Sequence, residues 1–247
     1  MKTKNIISII LSLILFVSVL PASVSAAESQ FPLLDAIGFS LNLEAGAEIT
    51  RYDLAKTAIS LGGLSITQTN ASSYVDVGEK HWAFSVVNTV TSNGYMGGNA
   101  DGTFRPEANA TVSDATQVLL NLLGYGSFGK MANWTSGDYL SKAQSIGLLK
   151  GVNSGGKLTK EALQRLILNM LEQPVVVISS IGNEGANFEV DNNTTYLTQR
   201  YGYYFKTGVL QAAGKSTIIG SSSVPSGKIK VGGATYSANG NDFSKFL

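Results

Sequence analysis

Gly94–Pro106 reads GYMGGNADGTFRP: four glycines, an Asn-Ala-Asp-Gly turn, one phenylalanine and one proline within thirteen positions, lying between two stretches with helical periodicity. Three chemistries could need such backbone freedom: a phosphate cradle, a calcium loop, or a turn joining two helices. The phosphate reading lacks a GxxxxGK[ST] pattern and a preceding strand. The calcium reading lacks alternating acids and a closing glutamate, since only Asn99 and Asp101 precede Gly102 in the required manner. The turn reading fits best. Asn99 to Gly102 tolerate positive φ, Phe104 offers an apolar plug, and Pro106 sets φ for the approach to the next helix.

Working outward, apolar residues recur at helical spacing from Phe31 to about Gln173. Ala115, Val118, Leu119, Leu122 and Leu123 form one face, as do Leu163, Leu166, Ile167, Met170 and Leu171; Leu54, Ala55, Ala58 and Ile59 form a weaker one. These three helices open on Thr50, Thr111 and Thr159, which are 61 and 48 residues apart. Each has a helix before it, in FPLLDAIGFSL, HWAFSVVNTVTSNGYM and DYLSKAQSIGLLKGV. The pattern predicts three helix-loop-helix repeats, at about 31–65, 74–124 and 125–173.

The chain ends differ from this. Lys2 and Lys4 precede an apolar run, Pro21 and the small residues Val24 and Ala26, which is the pattern of a secretory signal peptide over 1–26. Its removal leaves 16 basic against 17 acidic residues, a net charge of −1. That balance argues against a nucleic-acid partner. There is no cysteine, and His81 is the single histidine. A cysteine nucleophile and a multi-histidine metal site are thereby excluded, and no GxSxG elbow is present, so neither enzyme nor cofactor is expected. After Pro174 the periodicity changes. Residues 174–192 read as a polar linker and 193–247 as a small β region, with YGYYF, STIIG and KIKVGGATYS as strand material and Gly232-Gly233 as a hairpin turn. The ending DFSKFL, on so few strands, reads as the front of a longer chain or a truncated product.

The middle stretch resembles an S-layer homology (SLH) repeat. The elements that carry the resemblance are Tyr74 with Asp76, His81-Trp82-Ala83, Gly94-Tyr95, Asp101-Gly102-Thr103-Phe104 with Pro106, and Thr111 to Asp114. The first repeat keeps only AEITRYDLAKTAI, and the third is degenerate. The resemblance implies a mainly α fold in which three repeats form a pseudo-threefold helical domain. It also implies an exported protein held non-covalently in the cell wall or S-layer of a Gram-positive-type bacterium. The partner would be an anionic, pyruvylated secondary cell-wall polysaccharide linked to peptidoglycan, with no membrane insertion after signal cleavage.

By that resemblance Arg51 is the glycan-contacting arginine of a Thr-Arg-x-acid motif. A planar guanidinium suits a carboxylate, and a helix N-terminus favours an anion. Thr50 and Asp53 complete the motif, and they also fit a simple capping box. Val112 stands at the second arginine position and Lys160 at the third, so at most two of three sites keep a cation. Asp76, Trp82, Asp101 and Gly102 are further candidates for glycan contact. Asp76 and Asp101 equally suit turns, and Trp82 shares a helical face with Val86 and Val90, which argues for a core position. Two alternatives stand beside wall anchoring: a degenerate module acting as a structural or protein-interaction scaffold, and the N-terminal part of a longer surface enzyme.

Overall fold

The structure, a computed structural model, describes residues 31–66, 74–182, 185–205, 208–238 and 247. The signal-peptide expectation lies outside these. Ser29–Arg200 forms one compact unit and Tyr201–Leu247 belongs to another.

In the first unit the helices are α1 (Pro32–Ala36), α2 (Arg51–Gly62), α3 (Phe84–Ser92), α4 (Val112–Leu122), α5 (Tyr125–Met131), α6 (Ser136–Ser145) and α7 (Lys160–Leu171). Threonine starts the long ones. Thr50, Thr111 and Thr135 each accept from the backbone three residues on, while Asp53, Asp114 and Asp138 reach back to the cap amide. Such a reciprocal box satisfies two otherwise orphaned N–H groups. Thr159 caps α7 by accepting from Ala162 N–H. Helix α2 stops at Gly63, whose φ of 62° is left-handed. The expected apolar faces point inward: Leu54, Ala58, Ala115, Leu119, Leu163 and Leu166 are fully buried.

The segments leading into α2, α4 and α7 meet in three isolated bridges, Glu48 to Thr159, Thr50 to Asn109 and Thr111 to Lys157. Helix α3 packs on α2, α6 on α4, and α1 on α7, while α4 touches both α2 and α7.

This architecture overturns the expected fold class, a mainly α protein of three helix-loop-helix repeats in a pseudo-threefold domain. About 36% of the described residues are helical and about 20% are extended, with two antiparallel sheets among them. The first sheet occupies the stretch read as a linker: β1 (Pro174–Gly182) pairs with β2 (Gly185–Thr195). Val175 to Ile178 are a continuous β-branched run that favours a strand, and in β2 Ala186, Phe188 and Val190 alternate with polar residues, the period-2 pattern of a strand. The ribbon's base docks where Val176 N–H donates to Leu123 C=O (2.7 Å). A Cβ at Gly124 would lie 2.3 Å from Val176 O, so only glycine admits this approach. Helix α8 (Tyr196–Tyr201) then returns to the end of α2, where Leu61 C=O accepts from both Tyr196 Oη and Arg200 Nε. Helices α1, α3 and α6 pack chiefly on α7, α2 and α4, rather than on the long helices that follow each of them in its expected repeat.

In the second unit β3 (Leu210–Ala213), β4 (Ser216–Thr217), β5 (Lys228–Val231) and β6 (Ala234–Ser237) form a sheet in the order β4-β3-β5-β6. Gly232-Gly233 makes the β5–β6 turn as expected, both at positive φ. Ile229 and Val231 face a small core with Ala213 and Ala238, while Lys228 and Lys230 take the other face. The cluster YGYYF is not a strand: Tyr201 ends α8 and 202–205 are irregular.

Phe104, the plug of the opening loop, is fully buried. Phe104→Ala is expected to cost about 3–5 kcal/mol in urea denaturation. Val75→Ala, at a side chain 82% exposed in the same region, should change stability by no more than about 0.5 kcal/mol.

Candidate functional site

The Gly94–Pro106 loop is held from within. Gly102 N–H donates to Asn99 C=O (3.1 Å) and Asn99 N–H to Thr103 C=O (2.7 Å), closing a tight turn with Gly102 at φ 78°. Asp101 accepts from Thr103 N–H (3.1 Å) and Thr103 Oγ1, and pairs with Arg105. The Thr103 hydroxyl, its N–H and Arg105 hold the Asp101 carboxyl down at about 2. Asp76 reaches across to accept from Phe104 N–H (2.8 Å) and Arg105 N–H (2.7 Å). It thereby secures Arg105 at φ 57°, a left-handed conformation that is costly for a residue with a Cβ. Gly98 is a second fixed point, because a Cβ there would lie 2.2 Å from the Tyr74 ring.

This loop packs onto the start of α2. Arg51 N–H donates to Ala108 C=O and Tyr52 N–H to Pro106 C=O, both at 2.9 Å. Asp53 N–H donates to Thr50 Oγ1 (3.1 Å) and Leu54 N–H to Thr50 C=O. The first-turn donors of α2 are therefore occupied, and the anion-binding role expected of this helix end finds no donor to use. The Arg51 side chain is similarly engaged. Nε donates to Phe104 C=O (2.7 Å), Nη2 to Gly97 C=O (2.7 Å) and Nη1 to Asp114 Oδ1 (3.1 Å), with the guanidinium 4.7 Å above the Phe104 ring. Arg51 is 8% exposed.

The other motif positions fall in three places. Thr50 and Asp53 make the α2 cap; burial alone would raise the Asp53 carboxyl, but Thr50 and Lys56 outweigh it and the net shift is downward. Val112 is buried at the start of α4. Lys160 donates Nζ to Leu43 C=O (2.5 Å), and Glu161 accepts from Gly46 N–H (2.9 Å), so the third motif also binds its own chain. Asp76, Asp101 and Gly102 belong to the loop's internal bonding.

Trp82 is the exception. It is 55% exposed, contrary to the core position expected from helical periodicity. Helix α3 begins at Phe84, so Trp82 sits in the preceding turn and does not follow the helix period. Its ring meets Tyr52 edge-on (4.5 Å, 73°), and Lys56 Nζ lies 4.9 Å from the Tyr52 ring and 3.0 Å from Asp53. Together exposed Trp82, half-buried Tyr52 and exposed Lys56 form an aromatic surface with a cation at its edge. Sequence reasoning missed Tyr52 and Lys56; their i, i+4 spacing on α2 was the available signal.

Asp53, Asp76 and Asp138 all titrate below the ordinary 3.8, and Asp101 at about 2. Because the folded pKa values are depressed, the unfolded chain binds more protons in acid. Stability from these groups is complete above pH 3.8 and is lost as pH falls through the folded values. The urea midpoint is expected to drop between pH 3.8 and about 2; an unchanged midpoint over that range would contradict these assignments.

Comparison with known proteins agrees with the loop geometry. Residues 73–114, from Tyr74 through the cap of α4, match the S-layer homology domain. A cell surface protein of Thermoanaerobacter kivui is 30% identical over 113 residues, 45% of this chain and 14% of that protein. Cell surface glycoprotein 1 of Acetivibrio thermocellus is 29% identical over 127 residues, covering 43% of this chain and 5% of the relative. A surface layer protein of Brevibacillus choshinensis is 27% identical over 143 residues, covering 54% and 12%. The chain thus spans a small part of the length of these relatives. The match to the S-layer homology domain is thus confined to residues 73–114, in a chain similar over about half its length to proteins of bacterial cell surfaces.

Proposed function

We propose that Ser29–Arg200 anchors an exported chain at the bacterial surface by binding an anionic secondary cell-wall polysaccharide, without catalysis. The S-layer homology match and the three surface-protein relatives support surface anchoring. The observation that carries the polysaccharide reading is the exposed Trp82 ring against half-buried Tyr52, with Lys56 beside them. Aromatic rings offer an apolar platform to the C–H face of a sugar, and an ammonium at the edge favours an acidic substituent. In this reading Arg51 acts behind the surface. It holds the loop and Tyr52 in place, and Trp82, Tyr52 and Lys56 make the direct contacts.

A scaffold role is the second reading, favoured by the internal use of Arg51 and by the burial of Val112. Arg51→Ala cannot separate the two, since it would take the arginine donor from Asp114 Oδ1 and from the Gly97 and Phe104 carbonyls and threaten the fold. Trp82 is exposed and can be changed safely. Ala27–Leu247 should co-sediment with Gram-positive cell-wall sacculi, and acid stripping of the secondary polymer should abolish this. Trp82→Ala and Lys56→Ala, with unchanged urea midpoints, should each weaken retention about tenfold. A wild-type chain that stays in the supernatant with intact walls would reject anchoring and leave the scaffold.

A further inference from the structure

The ribbon of β1 and β2 has one face that is apolar throughout. Val176 opposes Val190 across it, Ile178 opposes Phe188, and Ile181 opposes Ala186. Ile181 reaches this face through an irregularity. The register shifts between Ile178 and Ser180, so Ser179 has no partner residue on β2, and its Oγ donates to Asn187 C=O (3.3 Å). Side chains alternate along a strand, so without an extra residue Ile181, three positions after Ile178, would point to the reverse side. The bulge re-aims it and keeps the apolar face continuous.

Only the base of the ribbon is covered. Val175 is buried, but every residue from Ile178 to Gly182 is exposed, Ile178 by 56% and Ile181 by 80%. A two-stranded ribbon standing clear of other elements is marginal in water. Helix α5 widens the same face. Phe128 meets Phe188 edge-on at 6.5 Å, and Met131, one helical turn further on, is exposed beside it.

We propose that a second copy of the chain docks on this face, ribbon against ribbon about a two-fold axis. Charge is the first reason for a copy. Strand β1 carries no charged residue, and Asn187 and Glu189 of β2 lie on the reverse side, opposite Ser180 and Val177. The face therefore meets its own image with no like charges opposed, and it offers a foreign partner no charge to recognise. Area is the second reason. The exposed parts of Phe128, Met131, Ile178, Ile181 and Val190 amount to on the order of 500 Å², enough for the apolar centre of an interface of about 800 Å² per partner. Two such faces can stack as sheets do, with their side chains interdigitated. The contact does not depend on the anchoring reading. Where the unit does anchor, a dimer would engage the wall bivalently.

Sedimentation equilibrium of Ala27–Leu247 over roughly 1–100 μM should show a monomer–dimer equilibrium that is half complete by about 10 μM. Ile181→Lys and Met131→Glu both change exposed side chains. Each should raise the dissociation constant at least about tenfold, with the urea midpoint of the dilute monomer unchanged. Val75→Lys, at a side chain equally exposed elsewhere, should leave the dimer intact. A chain that stays monomeric over the whole range would overturn the second copy as occupant. A dimer that neither Ile181→Lys nor Met131→Glu weakens would place the contact elsewhere and reject the ribbon. Assembly that continues past the dimer would reject a closed two-fold contact. No wall material is present in this experiment, so its failure and the failure of sacculus retention are separate results.

Discussion

The docking of one loop onto one helix end organises the rest of the helical unit. The start of α2 donates its backbone to Pro106 and Ala108, and its arginine to Gly97, Phe104 and Asp114. Helix ends normally leave such donors to water or to a ligand. Here the loop takes them, and a charged side chain is buried with each of its bonding nitrogens supplied. Hydrogen bonds to a charged group are worth more than neutral ones, and a buried charge without partners is costly, so the loop and the arginine require each other. Asp114 joins a third element to this lock. Its Oδ2 caps α4 while Oδ1 receives Arg51, so one carboxylate couples the starts of two helices.

This lock changes where ligand chemistry can be sought. A guanidinium committed to three internal acceptors offers little to an outside anion, and Lys160 in the third motif is committed to Leu43 in the same way. The group that remains available is the exposed Trp82, with half-buried Tyr52 and Lys56 beside it on one surface. Binding surfaces of this type combine rigid rings with mobile cations, and the loop fixes the rings. The motif residues then serve recognition indirectly, as the frame on which those rings stand.

Much of the local structure was legible in the sequence. Threonine caps, the Asn-Ala-Asp-Gly turn, the Phe104 plug and the apolar faces of α2, α4 and α7 are short-range features with strong residue preferences. What was not legible depends on distance or on boundaries. The β1–β2 ribbon was hidden because β2 carries Asn, Asp and Thr at exposed positions, and its identity as a strand comes from pairing with Val175 to Ile178. The packing of each short helix on a neighbour's long helix is invisible to periodicity, which reports a face and not its partner. Trp82 was misassigned by extending α3 two residues too far. The engagement of Arg51 could not be read at all, since Gly97, Phe104 and Asp114 are separated from it by 46, 53 and 63 positions.

Amide hydrogen exchange at Arg51 and Tyr52 tests the lock most directly. First-turn amides of an ordinary helix exchange readily because they bond only to water. Here both donate to carbonyls of the docked loop. They are expected to exchange only with global unfolding, as slowly as the Leu119 amide in the core of α4. Exchange at the rate of an unprotected amide would mean that the loop is not held on α2, and Arg51 would again be a candidate for direct contact with ligand.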